Sequence, residues 1–387
     1  MKKIWYAPNK FEAYGEEEIK AVEACLRDGW LAGFGPRTVE FEEKIAKYFG
    51  KKYGVFVNSG SAACLLALAS LQLPKGTKVV TPACTFSTTL APIIQLGLIP
   101  VFVDVDLTSY CANIQEVLDK VDDDVKAFMI PNLIGNKPDW KALKDGLKVI
   151  GREDIVLIED SADTVTYTEE TDIATTSFYA SHVITAGGAG GMVMFNDEKL
   201  RNICLQFRDW GRIGDNSEDM SDRFNHNVDG IPYDYKFLYG VLGYNMKSTE
   251  MQAAFGLVQL ERFKKFEHVR RANIERYIEN LKEVKKLVLP DDSIKPNWLA
   301  VPLQYEHRLD LLTYLEEQNI QTRVTFAGNV TRHPVYREYL QDFKNSDLIM
   351  KNGFLLGAHH GMTLEDVDYV CDKIKEYING RNSAERV

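Results

Sequence analysis

Gly54-Val55-Phe56-Val57-Asn58-Ser59-Gly60-Ser61-Ala62-Ala63 is the stretch from which the architecture follows. Gly54 to Val57 is a short uncharged run, as a strand buried on both faces requires, and Ser61 to Leu71 continues as a helix. Asn58-Ser59-Gly60 is the small-residue turn between them. The same unit recurs downstream. Lys78 to Thr81, Pro100 to Asp104, Ala127 to Ile130 and Ile155 to Ile158 have strand character. Thr88 to Gln95, a stretch near Ile114 to Lys120, and Trp140 to Leu147 have helical spacing. Apolar strands alternating with helices predict an α/β fold with a mostly parallel sheet covered on both faces.

Upstream, Glu16 to Leu26 is a helix ended by Gly29-Trp30-Leu31, and Val39 to Phe49 is an amphipathic helix closed by Gly50. Downstream, Gly211 to Pro232 is rich in Asp, Asn and Ser and is expected to be a long surface loop. Helical patterning then runs from Thr249 to Val284 with a heavily charged face. Leu287 to Val387 shows short strands and two helices, a smaller α+β domain whose last residues, 381–387, are expected to fray. The expected division is a large domain over 1–250 and a long helix with a small C-terminal domain over 251–387. The N-terminal segment is free to join either.

The 387 residues suffice for two domains, and 45% hydrophobic and 26% charged content are those of a globular enzyme. A net charge of −10 argues against nucleic acid or anionic membrane as partner. The first 20 residues lack an apolar signal core and no run is long enough to span a bilayer, so the expected location is the cytoplasm. The six cysteines are scattered, without ligand spacing, and are expected to be buried thiols rather than a metal site.

Several residues could carry chemistry. Gly60, Ser61 and Ala62 open a helix after a strand, where backbone N–H groups attract anions, although small residues also occur there for packing. Glu159-Asp160 ends an apolar strand, where open α/β sheets place ligands, or Asp160 merely caps a turn. Phe86 follows another strand and is either core or a stacking surface for a flat ligand. A second segment, Ser177-Phe178-Tyr179-Ala180-Ser181-His182-Val183-Ile184-Thr185-Ala186-Gly187-Gly188-Ala189-Gly190-Gly191, places one imidazole in a glycine-rich loop before the apolar run Met192 to Phe195. An imidazole titrates near neutrality and suits proton transfer, though a lone loop histidine is more often not catalytic.

That loop resembles the active-site loop of the sugar aminotransferase (DegT/DnrJ/EryC1/StrS) family, a branch of the fold-type-I, aspartate aminotransferase-like pyridoxal phosphate (PLP) enzymes. The family loop reads roughly Ser-Phe-x-x-x-Lys-x-x-Thr-x-Gly-Glu-Gly-Gly, and its lysine holds PLP covalently. His182 stands at the lysine position. The same exchange marks the nucleotide-4-keto-6-deoxysugar 3-dehydratases, which remove a sugar hydroxyl. The resemblance extends from about Tyr14 to Tyr377 with the motifs in order. It implies non-covalent PLP or pyridoxamine phosphate (PMP), with its phosphate on Gly60, Ser61, Ala62 and Ser177 and its ring against Phe86. Its pyridine nitrogen would pair with Asp160, and Asp163 would lie near the phenolic oxygen. His182 becomes the proton-transfer base and Tyr179 a second catalytic candidate, both matching the dehydratases.

Gly243-Tyr244-Asn245 resembles the family segment whose asparagine reaches the neighbouring subunit's cofactor phosphate, which implies a homodimer with Asn245 acting in trans. Asn132-Leu133-Ile134-Gly135-Asn136 and the segment from Thr322 to Arg332 also resemble the dehydratases. The second implies a nucleotide-sugar pocket with Arg323, Phe326 and Asn329.

CDP-sugar dehydratases carry a [2Fe-2S] cluster on four cysteines, one after the Asp160 position and three after the Arg212 position. Here those places hold Ser161-Ala162 and Ile213 to Asp219, so no cluster is expected. In that respect the chain resembles the GDP-4-keto-6-deoxymannose 3-dehydratases, in which glutamate is the amino donor. Gly187-Gly188-Ala189-Gly190-Gly191 departs from Gly-Glu-Gly-Gly, and the stretch from Thr164 to Thr176 is shorter than usual. The expected activity is a PMP/PLP-dependent 3-dehydration of a nucleotide-linked 4-keto-6-deoxyhexose in deoxysugar biosynthesis, such as that of lipopolysaccharide O-antigen. The alternatives are an aminotransferase-like PLP-binding protein without turnover and a lysine-independent amination.

Overall fold

The computed structural model describes residues 2–8, 12–214 and 217–384, with side chains to 381. The chain opens with α1 (Glu16–Asp28) and α2 (Pro36–Tyr48). The alternating region follows: β1 (Tyr53–Val57), α3 (Gly60–Ser70), β2 (Lys78–Pro82), α4 (Ser87–Gln95), β3 (Ile99–Val103), α5 (Ile114–Asp119), β4 (Val125–Pro131), α6 (Trp140–Val149) and β5 (Val156–Asp160). Next come β6 (Ile173–Ser177), β7 (Gly191–Phe195) and α7 (Glu198–Arg208). The polar stretch is not one loop: it folds as α8 (Met220–Arg223) and a hairpin of β8 (His226–Val228) and β9 (Ile231–Tyr233). The rest is α9 (Glu250–Leu281), β10 (Ala300–Gln304), α10 (Arg308–Glu317), β11 (Thr322–Val324), α11 (Lys344–Asn352), β12 (Gly353–Gly357) and α12 (Leu364–Ala384). The C-terminal third therefore has three α-helices, not two. Residues 381–384 belong to α12 rather than to a frayed end, and 385–387 lie outside the described residues.

The large sheet has the order β1-β7-β6-β5-β4-β2-β3. Four neighbouring pairs are parallel, and only β7 runs against its neighbours β1 and β6. The expected mostly parallel sheet is present. Its strands are mostly buried, which explains why they read as apolar runs rather than alternating, with Lys78, Lys126 and the Glu159-Asp160 pair as charged exceptions. Pairing of Pro131 with Asp160, and of Gly191 with both Val57 and Ser177, brings five strand ends to one edge. The loops that carry the chemistry-bearing residues leave from this edge.

The three-stranded sheet β10-β12-β11 is antiparallel. Its core is continuous with part of the first region: Leu303, Leu355 and Leu356 share one apolar cluster with Cys84, Tyr110, Leu133, Ile134 and Ile4. Ile4 also bridges Ile320, so the N-terminal segment packs with the C-terminal third.

Candidate active site

Ser59 begins the site. Its extended backbone ends β1's turn, and its Oγ accepts the Ala62 N–H at 3.1 Å as the N-cap of α3. The N–H groups of Gly60 and Ser61 have no intrahelical partner and sit at the positive end of the helix dipole. A Cβ on Gly60 would lie 2.6 Å from Ser177 Cβ, so only glycine lets the start of α3 approach the end of β6 this closely. Two free N–H groups beside the Ser177 hydroxyl form a cradle for a phosphate. Ala62 does not fit the expectation. Its N–H is taken up by Ser59, and its side chain is buried away from the cavity wall.

The cavity at this edge has a volume of about 410 Å³ and is bounded by Gly60, Ser61, Phe86, Asp160, Asp163, Ser177, Tyr179, His182 and Phe326, all anticipated from sequence. Phe86 and Phe326 meet edge to face, ring centroids 6.1 Å apart, and leave Phe86 half exposed to the cavity. Cys64, Thr88, Thr89 and Leu133 are also part of the wall. Of these, Thr89 does identifiable work, donating to Asp160 Oδ2 at 2.7 Å. The sequence signal was there in Thr88-Thr89, two hydroxyls in the first turn after Phe86.

Asp160 is buried at the end of β5, with Oδ1 accepting the Ala162 N–H at 3.1 Å. Burial raises its pKa, opposed by the Thr89 and Ala162 donors and by the Cys64 and Thr175 side chains. No cation pairs with it among the described residues. A buried carboxylate held by neutral donors and facing a cavity fits a ligand that brings its own positive N–H, as a protonated pyridine ring does. Three positions on, Asp163 Oδ2 accepts the Ile134 N–H at 2.8 Å. Burial, helped by the charge of Asp160 and opposed by the Ile134 N–H, pushes Asp163 up to about 7. Ile134 has φ of 64°, a left-handed conformation that costs a β-branched residue about 1–3 kcal/mol.

His182 lines the same cavity. The loop that carries it is knitted to itself: Phe178 N–H donates to Gly190 O at 2.9 Å, and Thr185 Oγ to Phe178 O at 2.9 Å. Phe178 anchors the loop in the core against Phe41, centroids 5.0 Å apart. His182 Nδ1 lies 3.3 Å from Ser177 O. A carbonyl only accepts, so Nδ1 carries the proton of the neutral ring and Nε2 carries the lone pair. Burial lowers the His182 pKa to about 4; the Ser177 carbonyl works against this and the Arg270 charge adds to it. The imidazole is therefore neutral across the physiological range. Tyr179 meets its edge at a centroid distance of 6.1 Å and is 59% exposed, free to move against a ligand.

Three more expected residues, besides Ala62, lie off this cavity. Asn329 is fully buried. Its amide nitrogen donates to Gln341 O and to Asp347, both at 2.9 Å, and its oxygen accepts from Thr331, so it shapes the turn beneath Phe326 and has no donor left for a sugar. Arg323 is exposed on β11, donates to Thr322 O and lies over the Tyr6 ring, outside the wall. Asn245 is exposed beside Asp209 and does not reach its own chain's cavity. Among the described residues, no group of three or more His, Cys, Asp or Glu side chains could hold a metal ion, and Asp215 and Asn216 lie outside them. None of the described helices is long and apolar enough to cross a membrane.

A phosphate cradle, an aromatic wall and a buried strand-end aspartate at one sheet edge define a fold-type-I PLP enzyme with histidine at the lysine position. The profile of the DegT/DnrJ/EryC1/StrS aminotransferase family matches residues 12–375, and the chain belongs to that family. It is 36% identical to the lipopolysaccharide biosynthesis protein RfbH of Salmonella typhimurium, covering 96% of this chain and 91% of that one. It is 35% identical to the dTDP-4-dehydro-2,6-dideoxy-D-glucose 3-dehydratase of Saccharopolyspora spinosa, covering 94% and 84%. Among solved structures, Escherichia coli GDP-4-keto-6-deoxy-D-mannose-3-dehydratase with bound hydrated PLP superposes with a TM-score of 0.85 at 27% identity, covering 97% of this chain and all of that one. A GDP-4-keto-6-deoxymannose-3-dehydratase with a trapped PLP-glutamate geminal diamine gives 0.84 at 26% identity, covering 96% and 100%.

Proposed function

We propose that this protein is a PMP/PLP-dependent 3-dehydratase that removes the C3 hydroxyl of a nucleotide-linked 4-keto-6-deoxyhexose. The observation that carries the reading is His182 at the cavity wall, neutral, with Nδ1 committed to Ser177 O and Nε2 open. Bound PMP supplies an amine for the C4 ketone and a ring that acts as an electron sink. The chain does the rest. Gly60, Ser61 and Ser177 hold the phosphate, Phe86 covers the ring face, and Asp160 keeps the ring nitrogen protonated. His182 takes up a proton at Nε2, and the exposed Tyr179 at the cavity wall is assigned to assist the departing C3 oxygen. Phe326 closes the sugar side.

Glutamate balances the reaction. For each C3–O bond lost, glutamate becomes 2-oxoglutarate, nitrogen leaves as ammonia and the CHOH at C3 becomes CH2, so the sugar loses one oxygen with no net change in hydrogen. No cysteine ligand remains for an electron-carrying cluster, which favours this amino-donor route. Asn245, exposed and off its own cavity, supports a homodimer in which it reaches the partner's cofactor phosphate. The functional division falls near residue 250, where α9 begins, with the N-terminal segment assigned to the C-terminal side.

Incubation of purified protein with PLP, glutamate and CDP-, GDP- or dTDP-linked 4-keto-6-deoxyhexoses tests the reading. Equal amounts of ammonia, 2-oxoglutarate and 3-deoxy-4-keto sugar are expected with one of them. An amino sugar with nitrogen retained identifies an aminotransferase instead, and no change in any sugar identifies a binding protein.

A further inference from the structure

Ile134 is the one β-branched residue in the left-handed region that is both fully buried and hydrogen-bonded to a cavity residue. Its conformation is held from both sides. Leu299 N–H donates to Ile134 O at 2.7 Å, and Trp298 Nε1 donates to Asn136 Oδ1 at 2.7 Å. Gly135, φ +100°, lets the turn sit so close to residue 297 that a Cβ would lie 3.0 Å from its carbonyl. On the other flank, Asn132 N–H donates to Asp160 O at 2.8 Å. The strained peptide is thus clamped between the end of β5 and the strand leading into β10. Its N–H points at Asp163 Oδ2, while Asp163 Oδ1 has no partner among the described residues and borders the cavity.

We propose that Ile134 is a positioning residue: its left-handed peptide binds Asp163 Oδ2 and so fixes Oδ1 as the atom that Asp163 turns toward the cofactor. Because a carboxyl oxygen that accepts an N–H bond is a poor seat for a proton, any proton on Asp163 resides on Oδ1, and Asp163 donates from that atom. The groups facing Asp163 are consistent with this. Asp160 on β5 disfavours its ionised form, and Tyr6, whose phenol is held neutral, is the nearest group from the N-terminal segment, with Arg323 and Arg270 beyond it. His182, which lines the same cavity, is neutral. The inference rests on the cofactor reading above.

The test is a pH titration of the absorbance of PLP bound to the full-length protein, beside PLP affinity from the same spectra. Exchanging the peptide N–H of residue 134 for an ester oxygen removes the hydrogen bond and keeps the side chain. Wild type is expected to show a titration step near neutrality, and the variant to move it up by about one pH unit. Asp163→Asn places its carbonyl on the Ile134 N–H and its NH₂ where Oδ1–H stood; it is expected to bind PLP and lose the step. An unmoved step in a folded ester variant overturns the proposal. If that variant does not fold, Asp163→Asn decides, and its failure to bind PLP while folded overturns the proposal. Wild type that binds no PLP refutes the cofactor reading instead.

Discussion

His182→Asn separates chemistry from structure at the residue on which the reading depends. The structural cost is small. The histidine makes one long contact, 3.3 Å from Nδ1 to Ser177 O, and an asparagine amide donates to the same carbonyl. Loss of an edge contact with Tyr179 and of one weak hydrogen bond amounts to about 1 kcal/mol or less. The chemical cost is larger: removing a general base typically slows proton transfer by about 10²–10⁴-fold, or roughly 3–5 kcal/mol of barrier. The assay is exchange of the methylene protons of bound PMP with deuterated solvent, followed by NMR, beside PMP affinity and thermal melting of the same samples. The variant is expected to bind PMP within a few-fold of wild type, melt within a few degrees of it, and lose exchange by at least a hundredfold. The pH profile sharpens the test. With His182 lowered to about 4, the base is already neutral at pH 5, so the acid limb of wild-type exchange should fall below pH 5 rather than at the ordinary imidazole value of about 6.5. Exchange at the wild-type rate in His182→Asn would place the base elsewhere and refute the argument.

Borohydride treatment of the PLP complex should leave no pyridoxyl group on the protein, whereas His182→Lys should acquire one at residue 182, both read by mass spectrometry. Protein purified without oxygen should contain no stoichiometric iron or acid-labile sulfide. Gly60→Ala should weaken PLP binding at least tenfold, because its Cβ would displace Ser177 from the phosphate cradle; unchanged affinity would move the phosphate elsewhere. Asp163 has a folded pKa raised to about 7 from an ordinary value near 3.8, so the folded apoprotein holds more protons than the unfolded chain in that window. Stability should therefore fall as pH rises from about 4 to 7, and Asp163→Asn should lose that part of the slope in denaturant titrations.

The first five strands of the large sheet were legible because burial on both faces leaves short, mostly apolar runs set between helical segments. The hairpin of β8 and β9 was not anticipated, although Asp229-Gly230 marks it. Both residues have positive φ, 51° and 82°, as a two-residue turn of this kind requires. The surrounding polar residues masked the signal because the short strands are mostly exposed and carry no apolar pattern. The helix α11 was missed for a related reason, since its sequence from Lys344 to Asn352 is mostly polar and only Ser346 and Ile349 are buried. Within the site, side chains at strand ends and in the glycine loop were legible through family resemblance, but motif position does not report where a side chain points. Asn329 matches a substrate-binding motif and instead braces a turn. The Ile134 N–H left no mark in the sequence at all, because every non-proline residue carries that donor and only tertiary clamping aims it.

The electrostatics of the cavity explain how one exchange at position 182 fits the remaining residues. A lysine there would add a cation near Asp160 and Asp163 and would attach covalently to PLP. Histidine, kept neutral by burial, adds none, so the Asp160 carboxylate remains without a protein counter-ion and is free to pair with a protonated ring. Asp163 avoids placing a second full negative charge beside Asp160 by holding its proton toward neutrality. The result is a cavity lined by one carboxyl without a counter-ion, one acidic proton and one open basic nitrogen. Amine transfer through a covalent lysine needs none of this separation, whereas moving a proton at a freely bound cofactor while a hydroxyl departs needs a donor and an acceptor that do not neutralise each other. Asp163 and His182, both lining the cavity with pKa values displaced in opposite directions, meet that requirement.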